Sequence, residues 1–199
     1  MTHTIELRVT HIADAADQLG LSGRIGSGGL AFVGSEKTVI GPAYTVHQRA
    51  VGSNGGGALR HGEAATTLSR PGQIIVIQVE GETSGATWGE AHALRAAARG
   101  LSGLLTDGSI RDHEALRDGT FPTMFGAASP FRSAGRLETV SVDLPVVVHG
   151  VTIRPGDLIA MDGDGFVCLP EERANEVIEI AQSIAAREIE RDEAIRSAG

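Results

Sequence analysis

The sequence predicts an α/β fold organised on a βαβ unit and closed by a long C-terminal helix. Three observations predict it. Residues 73–79 hold a near-continuous apolar run (Ile74, Ile75, Val76, Ile77, Val79), the pattern of a central strand covered on both faces. Residues 89–99 carry helical spacing, with Ala91, Leu94, Ala98 and Leu101 roughly on one stripe and Gly100 as the stop. Residues 103–106 form a second short buried run before the Asp107-Gly108 turn. Strand, helix and strand in roughly 33 residues make a parallel pair with a right-handed crossover.

The bulk properties agree. A length of 199 residues, 41% hydrophobic and 21% charged, suits one domain, 1–199, with a real core. Aromatics are only 4%, so Val, Ile, Leu and Ala must build that core. A net charge of −8 with scattered basic residues argues against a nucleic-acid surface. The single cysteine, Cys168, excludes an intrachain disulfide, and its apolar setting reads as a small buried hydrophobe. No run approaches ~18 apolar residues and no signal pattern opens the chain, so the expectation is no membrane contact and a cytoplasmic home.

Ahead of the βαβ unit, residues 10–20 read as a helix, capped by Thr10, with Ala13, Ala16 and Leu19 inward and Asp14 and Asp17 solvated. Residues 21–36 read as loop. Residues 37–40 and 43–48 read as two strands joined at Gly41-Pro42. The glycine-dense run 52–57 lacks the Gly-Lys-Ser/Thr of a phosphate-binding loop, so flexibility or close backbone approach is all it shows. Residues 58–68 look helical, with His61 and Glu63 expected at the surface. Residues 81–87 read as a small-residue loop.

Behind the unit, residues 113–118 suit a helical turn, 121–125 a strand and 127–135 a loop. Residues 140–142, 145–148, 158–161 and 165–169 are short strands between tight turns, hence antiparallel. Asp162-Gly163-Asp164-Gly165 resembles part of a calcium loop but lacks the remaining spacing, so it reads as a turn. Pro170-Glu171-Glu172 opens a helix reaching about residue 196, with Val177, Ile178, Ile180, Ala181, Ile184, Ala185 and Ile189 as its apolar face.

In open α/β sheets ligands bind beyond the carboxyl ends of the strands. That edge holds Trp88-Gly89-Glu90-Ala91-His92 after the first strand and Arg111-Asp112 after the second, with twenty residues between Glu90 and Arg111. The helix start at Gly89 offers unpaired N–H groups to a carboxylate or phosphate. Arg111 can fork onto a carboxylate or an enolate oxygen. Asp112 and Glu90 are hard oxygen donors suited to Mg²⁺ or Mn²⁺ held partly through waters. Such a site can stabilise an enolate next to a carboxylate, and so make or break a C–C bond beside a 2-oxo acid. The same residues would equally serve as an ordinary ion pair and a helix-start acid.

Several motifs resemble the RraA-like family, which includes the 4-hydroxy-4-methyl-2-oxoglutarate aldolases. They are Gly41-Pro42-Ala43-Tyr44-Thr45-Val46, Pro71-Gly72-Gln73, Trp88-Gly89-Glu90, Thr106-Asp107-Gly108-Ser109-Ile110-Arg111-Asp112, Pro155-Gly156-Asp157 and Asp162-Gly163-Asp164-Gly165-Phe166-Val167. The resemblance implies a swivelling, phosphohistidine-domain-like α/β/β/α sandwich. It implies that the backbone of Gly89, Glu90, Ala91 and His92 grips a pyruvate carboxylate. Arg111 then polarises the carbonyl or enolate oxygen, and Asp112 binds the divalent metal. The position of Glu90 is usually Asp in the aldolases and helps hold a metal-bound water for proton transfer. The family also implies trimers or hexamers in which a neighbouring subunit's C-terminal glutamate, here Glu188 or Glu190, completes the site.

The expected function is therefore a metal-dependent class II pyruvate aldolase with oxaloacetate decarboxylase activity through the same enolate. The alternative is a non-catalytic regulator of ribonuclease E, which the acid at position 90 opposes, since the regulator lacks one there. A phosphohistidine carrier using His61 is a third reading, with a poor match.

Overall fold

A computed structural model describes residues 6–21, 25–27, 29–52, 57–81 and 84–198. The first helix, α1 (Val9–Gln18), starts two residues earlier than Thr10 capping implies. Arg8 precedes it, and the Arg8 N–H donates to His11 Nδ1 at 3.1 Å. Asp14 and Asp17 are exposed as expected. The expected loop 21–36 contains two short strands, β1 (Ile25–Ser27) and β2 (Ala31–Val33). Most of the glycine run 52–57 lies outside the described residues.

The next strand, β3 (Val39–Ala50), runs unbroken through Gly41-Pro42, where two strands were expected. Pro42 lacks a donor, yet it is tolerated because the neighbour there, β14 (Leu158–Asp162), pairs only along residues 158–161. Further along the same edge, β11 (Leu137–Val142) takes over as partner. On its other edge β3 pairs in parallel with β4 (Ile74–Glu80). β4 pairs in parallel with β6 (Gly103–Thr106), with α3 (Glu90–Ala98) between them in sequence, which is the expected βαβ unit. The sheet continues through β8 (Thr123–Phe125) to β2, and on the far side through β14 to β15 (Gly165–Leu169) and β1. Asp162-Gly163-Asp164-Gly165 is the hairpin turn between β14 and β15.

A second, smaller sheet is built from segments that the residue patterns did not mark as strands. Its strands are β5 (Gly85–Trp88), β7 (Ser109–Ile110), β9 (Ala127–Ala128) and β10 (Phe131–Arg132), all parallel, in the order β10-β5-β7-β9. Residues 85–87 and 127–132 read as loop because small residues dominate 85–87 and the strands at 127–128 and 131–132 are too short to show an apolar alternation. A hairpin, β12 (Val146–Val148) with β13 (Val151–Ile153), completes the strands among the described residues.

Three apolar clusters form the core. One fills the side of the sheet under α3, with Ile75, Ile77, Trp88, Ala93, Ala96 and Leu104. One lies on the opposite face against the β12–β13 hairpin, around Val76, Leu105, Met124 and Ile153, and includes the buried Cys168. The third seats α1 and α5 (Glu171–Ser197) on β14 and β15. Burying each large side chain fully contributes about 1.5–3 kcal/mol. The buried stripe of α3 is Ala93 and Ala96 rather than Ala91, Leu94 and Ala98, and Leu94 stands 63% exposed. On α5, Val177, Ala181, Ile184 and Ala185 are buried as expected, while Ile189 is exposed. No helix among the described residues is long and apolar enough to cross a membrane.

Candidate functional site

The chain leaves β4, forms β5, and turns into α3 at Gly89. After α3 it repeats the move, leaving β6, forming β7 and turning at Arg111-Asp112 into α4 (His113–Asp118). The two polar clusters therefore meet at the carboxyl ends of β5 and β7 in the small sheet, one storey beyond the β4 and β6 ends that the sequence pointed to. Trp88 and Ile110 are paired residues of that sheet, and the Arg111 N–H donates to the Trp88 carbonyl at 2.9 Å.

At the junction the Asp112 carboxylate faces the start of α3. The Glu90 N–H donates to Asp112 Oδ2 at 3.3 Å, and Arg111 Nε lies 3.5 Å from the same oxygen. Asp112 adopts a left-handed conformation, φ 57, which Asp tolerates better than most residues. Gly89 is required here by closeness alone. A Cβ at that position would sit 2.8 Å from Asp112 Oδ2 and 2.9 Å from Arg111 Cγ.

The first turn of α3 retains binding capacity. The N–H groups of His92 and Ala93 both bond the Gly89 carbonyl, while that of Ala91 has no hydrogen bond among the described residues. Gly89 has no side chain with which to cap the helix, and of the N–H groups at its start the Asp112 carboxylate meets only that of Glu90. Such a helix start attracts a negative group. Arg111 and Asp112 are 44% and 41% exposed, and a cleft of about 250 Å³ opens beside them. His113, Ala128, Ser129 and Pro130 line its far side. No residue pattern pointed to the last three, which fall in a segment read as loop. A larger cavity, about 580 Å³, lies far in sequence from this chemistry, between α1, α5 and the β14–β15 turn.

All the expected site residues, Gly89, Glu90, Ala91, His92, Arg111 and Asp112, fall in this one region. The family motif divides in two. Its first half is structural: Thr106 Oγ1 donates to the Ile77 carbonyl at 2.7 Å, and the Val79 N–H donates to Asp107 Oδ1 at 2.8 Å. Burial pushes the Asp107 carboxyl above its ordinary range, opposed by the Val79 N–H. Only the end of the motif, Ile110-Arg111-Asp112, lines the cleft.

The fit to a divalent cation is that of a partial shell. Asp112 Oδ1 and the Glu90 carboxylate have no hydrogen-bond or ion-pair partner among the described residues, and both are hard oxygen donors. No group of three His, Cys, Asp or Glu side chains among the described residues could hold an ion. These residues thus suit a cation that keeps most of its waters. Glu188 is engaged within its own chain, where His11 Nε2 donates to its carboxylate at 2.9 Å. Glu190 is exposed and unpaired among the described residues.

His61 departs from expectation. It is buried, 3% exposed, and its Nδ1 accepts from Gln48 Nε2 at 2.7 Å. Burial, reinforced by His92, pulls its pKa down to about 4. The hydroxyl of Thr87 donates in turn to the Gln48 side-chain carbonyl. A ring so enclosed is closed to phosphoryl transfer.

Comparison with known proteins gives a consistent result. The sequence model described as RraA-like, Aldolase/RraA, matches residues 9–168. A putative 4-hydroxy-4-methyl-2-oxoglutarate aldolase of Halalkalibacterium halodurans is 33% identical over 79% of this chain and 71% of that protein. The 4-hydroxy-4-methyl-2-oxoglutarate aldolase of Thermus thermophilus is 35% identical over 50% of this chain and 60% of its own length. Protein DlpA of Legionella pneumophila is 28% identical, and the chain spans only 28% of its length. Among solved structures, an uncharacterized protein from Pseudomonas syringae superposes with a TM-score of 0.84 at 28% identity, covering 97% of this chain and 86% of that one. Streptomyces coelicolor RraAS2, described as an unusual member of the RNase ES inhibitor RraA protein family, gives 0.76 at 25% identity over 94% and 91%. The fold class expected from the sequence is borne out.

Proposed function

The chain belongs to the RraA-like family, and from that premise we propose that it is a divalent-metal-dependent lyase of 2-oxo acids. It cleaves 4-hydroxy-2-oxo dicarboxylic acids to pyruvate and a second oxo acid, and decarboxylates oxaloacetate through the same enolate. The observation that carries the reading is the Asp112 carboxylate turned onto the start of α3, with Arg111 beside it.

The residues divide the work. The substrate carboxylate sits at the open helix start, where the Ala91 N–H is available and the helix dipole favours negative charge. Arg111 donates to the 2-oxo oxygen. As the C3–C4 bond breaks, its electron pair passes to that oxygen as an enolate, and the guanidinium stabilises the new charge. Glu90 takes the proton of the 4-hydroxyl through a water, so that C4 becomes a carbonyl. Return of a proton to C3 then completes pyruvate. Asp112 holds the divalent cation, whose Lewis acidity supports the same developing charge when bound. Glu190 of another copy supplies the remaining acid, because Glu188 is engaged by His11.

The test is release of pyruvate from 4-hydroxy-4-methyl-2-oxoglutarate and from oxaloacetate, coupled to lactate dehydrogenase, with and without EDTA. Turnover that EDTA abolishes and Mg²⁺ or Mn²⁺ restores is the expected result. Absent or metal-independent turnover sinks the reading. The similarity to the RNase ES inhibitor relative favours a regulator as the second reading. Capture of a ribonuclease by a protein without lyase activity would decide for it.

A further inference from the structure

The cleft chemistry leaves one buried polar cluster unused. Gln48 lies in β3 and His61 opens α2 (His61–Glu63), both away from the cleft residues in sequence. Thr87 holds the Gln48 carbonyl, and the Gln48 amide nitrogen, which can only donate, holds His61 Nδ1. His61 is thereby fixed as the tautomer with its proton on Nε2.

From His61 the contacts run forward to the site. The His61 and His92 rings lie 4.8 Å apart, and the His92 ring lies 5.2 Å from Trp88 at an interplanar angle of 32°. Gly62 closes on His92 from the same side, where an added Cβ would stand 3.3 Å from Nε2. Trp88 immediately precedes Gly89, and its carbonyl anchors Arg111.

Two features show that this stack is more than filler. The Trp88 indole nitrogen is buried with no hydrogen-bond partner among the described residues, so ring packing sets the indole's rotation. Apolar side chains would fill the same space without burying an amide, a hydroxyl and an imidazole. What a satisfied polar network adds is a single orientation.

We propose that His61, held by Gln48 and Thr87, is a positioning residue of the 2-oxo acid site: it keeps the His92 ring on Trp88 and so fixes the first turn of α3, where the substrate carboxylate is received. This rests on the proposed function. The carboxylate does not react, so displacing its cradle weakens substrate and transition state alike. The effect falls on KM more than on kcat.

The experiment compares full-length wild type with His61→Leu, His61→Gln and Gln48→Leu. It reads KM and kcat on oxaloacetate, thermal midpoint, and binding of oxalate with Mg²⁺ followed by fluorescence of Trp88, the single tryptophan. His61→Leu is expected to raise KM and the oxalate Kd together by about tenfold, with kcat within about threefold. Gln48→Leu shifts both in the same direction, because His61 loses its anchor. His61→Gln, which keeps an acceptor for Gln48, recovers much of the loss. If His61→Leu does not fold, Gln48→Leu carries the comparison. Folded variants with wild-type KM and oxalate Kd, whatever their thermal midpoints, overturn the proposal. Oxalate binding that weakens in the variants while wild type turns nothing over upholds the positioning role and removes the lyase. Wild type that neither turns over nor binds oxalate overturns both.

Discussion

The Glu90 N–H donates to Asp112 Oδ2 at 3.3 Å, tying the start of α3 to the start of α4 across 22 positions of sequence. Asp112→Asn keeps that acceptor and removes the charge. Pyruvate release is expected to fall at least 10²-fold in kcat/KM, and the thermal midpoint to stay near wild type, because the side chain is 41% exposed. Wild-type kcat/KM in the variant would exclude a charge role for Asp112.

Gly89→Ala tests the closeness of the junction. The new methyl group meets Asp112 Oδ2 and Arg111 Cγ, so both side chains must move from the helix start. Expected is a loss of about 10²-fold in kcat/KM with the far-ultraviolet dichroism unchanged. The backbone itself is extended, φ −173, and tolerates alanine.

Stability should depend on pH through His61. The folded ring has a pKa of about 4, against 6.5 when free. Between those values the unfolded chain binds more protons than the folded one. Stability is therefore full above about pH 6.5 and declines as pH falls toward 4, by up to about 3 kcal/mol from this group. Urea titrations across that window read the slope, and His61→Gln should flatten it.

Trp88 reports on His92. Protonation of an imidazole in contact with an indole quenches its fluorescence. Burial, then Arg95 and Arg111, holds the His92 pKa below its ordinary 6.5. The quenching midpoint should fall below pH 6.5 in wild type and rise in Arg111→Ala. An unmoved midpoint would mean that Arg111 does not face His92.

Much of this was legible in sequence. The apolar run of β4, the second short run of β6 and the spacing between Glu90 and Arg111 were enough to bring the site residues together. Three things were hidden. β5 (Gly85–Trp88) and β7 (Ser109–Ile110) are only four and two residues long, too short to show a hydrophobic period, although Trp88 and Ile110 are buried. The buried face of α3 rests on alanines, and alanine spacing marks no unique face, so Leu94 misled. His61 looked like a surface residue because its partner, Gln48, is a polar residue on a strand whose burial only the folded sheet imposes.

The storey formed by β5, β7, β9 and β10 has a consequence for how such proteins diversify. The groups proposed to handle the three-carbon end hang from β5 and β7, whereas Ala128, Ser129 and Pro130, across the cleft, belong to the neighbouring β9 segment. The Ser129-Pro130 link between β9 and β10 can therefore change to suit a different far end of the molecule, while the pairing of β9 on β7 and β10 on β5, and the scaffold of β3, β4 and β6 beneath, stay in place.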